Sequence, residues 1–200
     1  MLSVERAKEA LIDAGRRLYY QGLMPGGAGN MSARTEMGIV VTSSGLCKGK
    51  LTNSDFVIVD WEGVVIGGGT PTTELPMHIA IYNKRTDINA VVHIHGPYAV
   101  ALTVAGIPFR SDILPEIPLK FGEIPTTDYA TPSTPRAAEV LKPYLNNEIR
   151  GAILPYHGIV ALGKTVEKAL LVAEGIEYAA KVQVLASAIG EPKQYPNDII

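Results

Sequence analysis

The chain has 200 residues, 18 Lys plus Arg against 20 Asp plus Glu, and one cysteine, so its formal net charge is −2. That length suits one domain with a real core, and 46% hydrophobic with 19% charged residues excludes a disordered chain. A single cysteine excludes a disulfide framework or a Cys-rich zinc module, and the near-neutral balance argues against a general nucleic-acid binder. No apolar run approaches the ~20 residues of a membrane span, and the acid-containing start MLSVERAKEA is not a secretory leader. The expectation is a cytoplasmic α/β protein spanning 1–200 as one domain, with Cys47 reduced and neither nucleic acid nor membrane as a partner.

In chain order, Val4, Ala7, Leu11, Ala14 and Leu18 recur at three- and four-residue steps and predict an amphipathic helix from Ser3 to about Gln21. The following GLMPGGAGNMSAR is read as irregular because of its glycines and Pro25. Gly38–Gly45 reads as a short strand entering a turn, and Phe56–Gly68 as a hairpin. A second Gly/Thr loop opens a helix over Glu74–Arg85. Ala90–His95 is β-branched and apolar, hence a strand, followed by a helix with Pro97 in its first turn. Ile107–Thr134, with five prolines, is expected to be mostly irregular. Thr134–Asn147 is expected to be a helix, Gly151–Gly163 two short strands around Tyr156–Gly158, and Thr165–Ile189 a long final helix capped by Thr165. Hairpins mixed with helix-linked strands predict a mixed sheet covered by helices on both faces.

His93 and His95 are two residues apart on the predicted strand, so both imidazoles leave one face while Val92 and Ile94 take the other. Two imidazoles side by side must both find polar partners, and a metal ion satisfies both at once. His157 ends another apolar stretch, beside Gly158. Three His ligands suit Zn²⁺ or a similar divalent ion and leave a position open. The alternative is surface or backbone-bonded core histidines, and His157 joins the set only if the fold brings it near. Glu74 stands where a helix dipole favours a carboxylate, either as acid–base partner to a metal or as a plain N-terminal anion. His78, four residues on, reads as a packed or supporting residue. The loops Gly26–Asn30, Thr42–Gly45 and Thr70–Thr73 could form a neutral phosphate cradle from backbone N–H groups and hydroxyls. No nucleotide-binding P-loop, dinucleotide fingerprint or G-x-S-x-G elbow is present.

With these residues in view, the sequence resembles the class II aldolase/adducin family, and within it the L-fuculose-phosphate aldolases. The segments that carry the resemblance run in order: GGAGNMSAR, VTSSG, TPTTE, HIAIYNKRTDINAVVHIHGPYAVAL, YATPST and YHGIVALG. The resemblance implies a three-layer α/β/α fold with a central, largely antiparallel sheet, in a homotetramer with active sites at subunit contacts. It implies Zn²⁺ on His93, His95 and His157, with Mn²⁺ or Co²⁺ as alternatives. It implies Glu74 as the catalytic carboxylate and a phosphate cradle of Gly29, Asn30, Ser44, Gly45, Thr72 and Thr73. The implied reaction is reversible cleavage of a ketose 1-phosphate, of the L-fuculose 1-phosphate type, into dihydroxyacetone phosphate and a short aldehyde, through a zinc-stabilised enediolate. A pentulose-phosphate 4-epimerase, a methylthioribulose-phosphate dehydratase and a non-catalytic adducin-like binding module are the alternatives on the same scaffold. The sequence departs from the fuculose enzymes where they carry a protonating tyrosine after an Ile-Pro pair. Here IPFRSDILPE offers Asp112, leaving Tyr129, Tyr195 and Asp112 as candidates for that proton.

Overall fold

The structure is a computed structural model and describes residues 2–196. Helix α1 (Val4–Tyr20) starts at Ser3, whose hydroxyl accepts from the Arg6 N–H, and it buries the predicted stripe. Strands β1 (Asn30–Thr35), β2 (Gly38–Thr42), β3 (Phe56–Val59) and β4 (Val65–Gly67) form a meander. Helix α2 (Leu75–Lys84) leads to β5 (Ala90–Ile94), which is followed by α3 (Pro97–Val104), α4 (Glu116–Phe121) and α5 (Pro135–Glu139). The hairpin β6 (Gly151–Leu154) and β7 (Gly158–Gly163) precedes α6 (Val166–Ile189), which Thr165 caps. No helix among the described residues is long and apolar enough to cross a membrane.

The seven strands make one sheet in the order β4-β3-β2-β1-β5-β7-β6, and every strand pair is antiparallel. The mixed character expected from helix-linked strands is confined to two isolated parallel bridges, Leu2 with Thr35 and Thr126 with Ile153. Alternation of side chains gives the sheet two cores. On one face Met31, Ala33, Val92, Ile94, Ile159 and Ala161 pack under α1, α3 and α6. On the other Val41, Val57, Val91 and Val160 pack under Met77, Ile81 and Tyr82 of α2. This is the α/β/α sandwich, each helix layer burying its stripe on one sheet face.

Three predicted elements differ. Asn30–Thr35 is a central strand rather than loop: Met31 and Ala33 face the core, but Asn30, Ser32 and Arg34 face α2 and hid the alternation. The expected irregular Ile107–Thr134 contains α4, a helix that holds Pro118 in its first turns, where the missing N–H costs nothing. The expected helix Thr134–Asn147 stops at Glu139 and resumes only as a 3₁₀ turn at Lys142–Tyr144, because Pro143 cannot continue an α-helix.

Register brings the site together. Asn30 pairs with His93 across β1 and β5, and Ile94 pairs with Ile159 across β5 and β7. In an antiparallel sheet the start of β1, the end of β5 and the start of β7 therefore share one rim. The loop after β2 joins them, stitched by Ser44 N–H to Thr70 O at 3.1 Å and Thr72 N–H to Thr42 O at 3.1 Å. Beyond this rim, Glu177 of α6 accepts from the Tyr98 and Ala99 N–H groups at 2.8 and 3.1 Å and anchors the start of α3 just after His95.

Gly158 makes this rim possible. Its φ of 157° is one that side chains rarely adopt, and a Cβ there would stand 2.0 Å from the Ile94 carbonyl oxygen. Gly158→Ala should part β7 from the end of β5 and cost at least ~2 kcal/mol, read as a lowered midpoint in urea unfolding.

Candidate metal centre

His93 and His95 project from the α2 side of β5, with Val92 and Ile94 in the opposite core. His157 occupies the turn between β6 and β7, whose Tyr156 has a positive φ of 60°. Glu74 is the N-cap residue of α2, but its side chain makes no capping bond; it turns into the sheet rim. His93 Nε2 lies 3.1 Å from His95 Nε2, 3.2 Å from His157 Nε2 and 3.2 Å from Glu74 Oε2. His157 Nε2 is 3.6 Å from Glu74 Oε1. One ligand atom from each of the four residues falls within 4.8 Å of all the others.

The protonation pattern follows from hydrogen bonding. His93 Nδ1–H donates to the Ile159 carbonyl at 3.0 Å, so neutral His93 presents a lone pair on Nε2. Burial, then the neighbouring imidazoles, lowers His95 to about 3; burial and His93 lower His157 to about 4. Burial alone would raise the Glu74 carboxyl, but attraction to His93 and then His157 in their protonated forms, with the Asn30 N–H, outweighs it and holds it well below the usual carboxylate range. Lone pairs and a carboxylate thus face a common point. A proton on His93 could be donated along one direction only, while a divalent cation would satisfy all four groups. Glu74 Oε1, the one buried side-chain polar atom without a partner among the described residues, is explained the same way. The donor set fits a borderline divalent ion, with the three imidazoles and Glu74 able to hold it.

A buried chain of hydrogen bonds aims the carboxylate. Asn30 Nδ2–H donates to Glu74 Oε2 at 2.7 Å. Its Oδ1 accepts from His78 Nε2–H at 2.6 Å, which sets the tautomer, so Ser32 O–H donates to His78 Nδ1 at 2.6 Å. Tyr82 O–H then donates to Ser32 Oγ at 2.8 Å. His78 is fully buried and outside the cluster, and its role is to hold Asn30 and through it Glu74. These groups come from β1 and α2, and the polar face that made β1 look like loop is this relay.

Beside the cluster lies a pocket of about 230 Å³, and Gly29, Asn30, Ser44, Gly45, Thr72 and Thr73 all line it with Glu74, His95 and His157. Asn30 spends one Nδ2–H on Glu74 and its Oδ1 on His78, which leaves its second Nδ2–H uncommitted among the described residues at the pocket wall. Sequence reasoning missed Lys48 and Ser133 on the same wall. Ser133, at a positive φ of 62°, shares a 2.7 Å hydrogen bond with Thr73 through the two hydroxyls. Ser133 lies in the YATPST segment and Lys48 three residues after Gly45, but the spacing of neither points to the pocket, and spatial proximity finds them. Of the three proton-donor candidates, none lines this pocket. Asp112 is paired with Arg110 at 2.9 Å, the Tyr195 N–H bonds the Asp112 carbonyl, and Tyr129 packs edge-on against Tyr156. A larger cavity of about 890 Å³ between α4 and α6 contains none of the clustered groups.

Fold and site together define an α/β enzyme with a three-imidazole, one-carboxylate centre beside a hydroxyl- and amide-lined pocket. The chain belongs to the class II aldolase and adducin N-terminal domain family, which it matches over residues 9–184, and is an enzyme of the class II aldolase type, a class that uses a divalent metal and whose metal the His/Glu cluster here could hold. It is 34% identical over 200 residues to a 5-deoxy-D-ribulose 1-phosphate aldolase of Bacillus thuringiensis serovar kurstaki, covering 98% of this chain and 92% of that protein. It is 32% identical to a 3-oxo-tetronate 4-phosphate decarboxylase of Cupriavidus necator, covering 91% and 85%. A solved L-fuculose 1-phosphate aldolase superposes with a TM-score of 0.88 at 30% identity, covering 96% of this chain and 92% of the other.

Two outcomes test the centre. Metal analysis of the purified protein should find about one divalent ion per chain, and His93→Ala should lose most of it while keeping its circular dichroism spectrum. Burial lowers His78 to about 3. Above pH ~6.5 both folded and unfolded chains leave it neutral; below, only the unfolded chain takes the proton, so stability falls with pH until about 3. Between pH 6.5 and 5 this amounts to ~2 kcal/mol, and His78→Gln should lose that much less over the same interval in urea titrations.

Proposed function

We propose that this protein reversibly cleaves a ketose 1-phosphate into dihydroxyacetone phosphate and a short aldehyde. The observation that carries this reading is the placing of Glu74, which faces the imidazole cluster on one side and lines the small hydroxyl-rich pocket on the other. Such a substrate carries a phosphate at one end and a carbonyl and hydroxyl next to the bond that breaks. The phosphate fits the loops at Gly29, Asn30, Ser44, Gly45, Thr72 and Thr73, whose backbone N–H groups, hydroxyls and second Asn30 Nδ2–H supply neutral donors. That anchor fixes the three-carbon unit against the histidines and lowers the entropic cost of reaching the reactive geometry.

The chemical difficulty is negative charge on carbon beside the carbonyl. A divalent cation on His93, His95 and His157, proposed as Zn²⁺ with Mn²⁺ or Co²⁺ as alternatives, supplies Lewis-acid stabilisation of that charge when bound. Glu74, held by Asn30 and kept ionised, is the base that takes the proton from the carbon in the synthetic direction and returns it in cleavage. Its aim depends on the buried relay through His78, Ser32 and Tyr82. The hydroxyl that becomes the aldehyde oxygen needs a second group, which removes its proton in cleavage and returns it to the alkoxide in synthesis. Tyr129, whose ring centroid is 5.8 Å from that of Tyr156 beside His157, is favoured over Asp112, whose carboxylate is occupied by Arg110. A homotetramer with a neighbouring chain completing the pocket is part of the proposal and follows the family resemblance.

A second reading has a specific basis in the decarboxylase relative. A 3-oxo-tetronate 4-phosphate carries the same phosphate–CH₂–CO–CHOH unit, and its carboxylate leaves from the carbon where the aldehyde leaves a ketose phosphate. Both reactions would use the same groups. The assay follows both products: ketose 1-phosphates should release dihydroxyacetone phosphate with an aldehyde, whereas carbon dioxide from an oxo-acid phosphate at higher kcat/KM would replace the aldolase reading. Neither product from either substrate would end both. Glu74→Gln should reduce solvent exchange of the dihydroxyacetone phosphate C3 proton by roughly 10²-fold or more, followed by NMR in deuterium oxide.

A further inference from the structure

Lys48 follows the second cradle loop in the run SSGLCKGK and is 1% exposed. Its Nζ donates to the Gly27 carbonyl at 3.0 Å and to the Leu46 carbonyl at 2.7 Å, so the ammonium lies between the two loops that wall the pocket. Those loops are already in contact, since a Cβ on Gly27 would stand 2.8 Å from the Gly45 carbonyl oxygen. Lys48 makes no ion pair among the described residues, and Glu74, the one carboxylate lining the pocket, is turned to the imidazoles and Asn30. Lys48 is also the one Lys or Arg that lines this pocket.

A buried ammonium is costly unless an anion offsets it, and two neutral carbonyls satisfy two of its three N–H groups without neutralising its charge. Stapling two loops does not need that charge, because a neutral amide donor would serve. A charge retained without a counter-ion at the wall of a hydroxyl-lined pocket points to an anionic ligand as the missing partner.

We infer that Lys48 is the counter-charge for the phosphate group of the substrate, making the cradle selective for a dianion rather than for a neutral sugar. This rests on the sugar-phosphate reading above and adds a residue to it. In that role Lys48 acts from beneath the loops. The backbone N–H groups of the cradle fix the phosphate's position, and the ammonium offsets its charge in a site shielded from water.

The test uses the metal-loaded protein with inorganic phosphate as the probe, measured by calorimetry. Lys48→Gln keeps an N–H donor for the carbonyls and removes the charge; it should weaken phosphate binding roughly tenfold or more, with metal content unchanged. Lys48→Arg keeps the charge and should stay within about threefold of the unmodified protein. Dihydroxyacetone, which has no phosphate, should inhibit the unmodified protein and the Gln variant alike. Phosphate binding by a folded Gln variant at unmodified strength, or no phosphate binding by the unmodified protein, overturns the inference. Should the Gln variant not fold, a crystal of the unmodified protein soaked in phosphate decides the matter. A phosphate oxygen within ~4 Å of Lys48 Nζ supports the inference, and a phosphate bound elsewhere refutes it. Absence of carbon–carbon cleavage with every sugar phosphate would remove the aldolase reading while leaving the phosphate measurements to stand or fall separately.

Discussion

Mutual repulsion of lone pairs governs this molecule. Three imidazole nitrogens and a carboxylate are drawn within 4.8 Å of one another, and one carboxylate oxygen, Glu74 Oε1, is left without a hydrogen-bond donor among the described residues. Such a cluster persists in a fold only where the surrounding structure fixes it, and a cation would neutralise it. The antiparallel pairing of β1, β5 and β7 supplies the fixing, since it places the beginnings and ends of three strands along one rim. The two hydrophobic cores hold that rim from both faces, and none of the apolar side chains that form them has to reach the site.

Behind the cluster, polar residues replace apolar ones on one face of a central strand. Asn30, Ser32 and Arg34 lie where a structural strand would carry Val or Ile, and each is spent on α2. Arg34 donates to the Tyr82 carbonyl, while Asn30 and Ser32 build the relay that ends at Glu74. Burial keeps His78 neutral and Tyr82 protonated, so the relay has one consistent set of donors from the phenol to the carboxylate. Rigidity at Glu74 is thereby obtained without a cap on α2: the residue at the helix start is diverted inward, and the Thr72 hydroxyl accepts the Glu74 N–H instead.

Local pattern sufficed for much of this. The stripe of Val4 to Leu18, the β-branched run before His93 and the Thr165 cap are short-range signals, and the structure carries each of them. Where short-range signals conflicted with long-range use, they misled. The polar alternation of β1 looks like loop until α2 is packed over it. Pro118 and Pro143 look alike in sequence, yet one is accommodated near a helix start and the other ends a helix.

By itself the sequence determined that His93 and His95 leave one face of a strand, because alternation is a local property of the extended chain. It also determined, through the ordered motifs, the family and the α/β/α fold. The tertiary structure brings His157, 62 positions beyond His95, into the cluster as the resemblance implied, and it alone decided that an Asn30 Nδ2–H reaches Glu74 and that Lys48 lies under the cradle with no carboxylate partner among the described residues. The reason is distance along the chain: strand register and loop contact set these meetings, and neither is encoded in the spacing of the residues that meet.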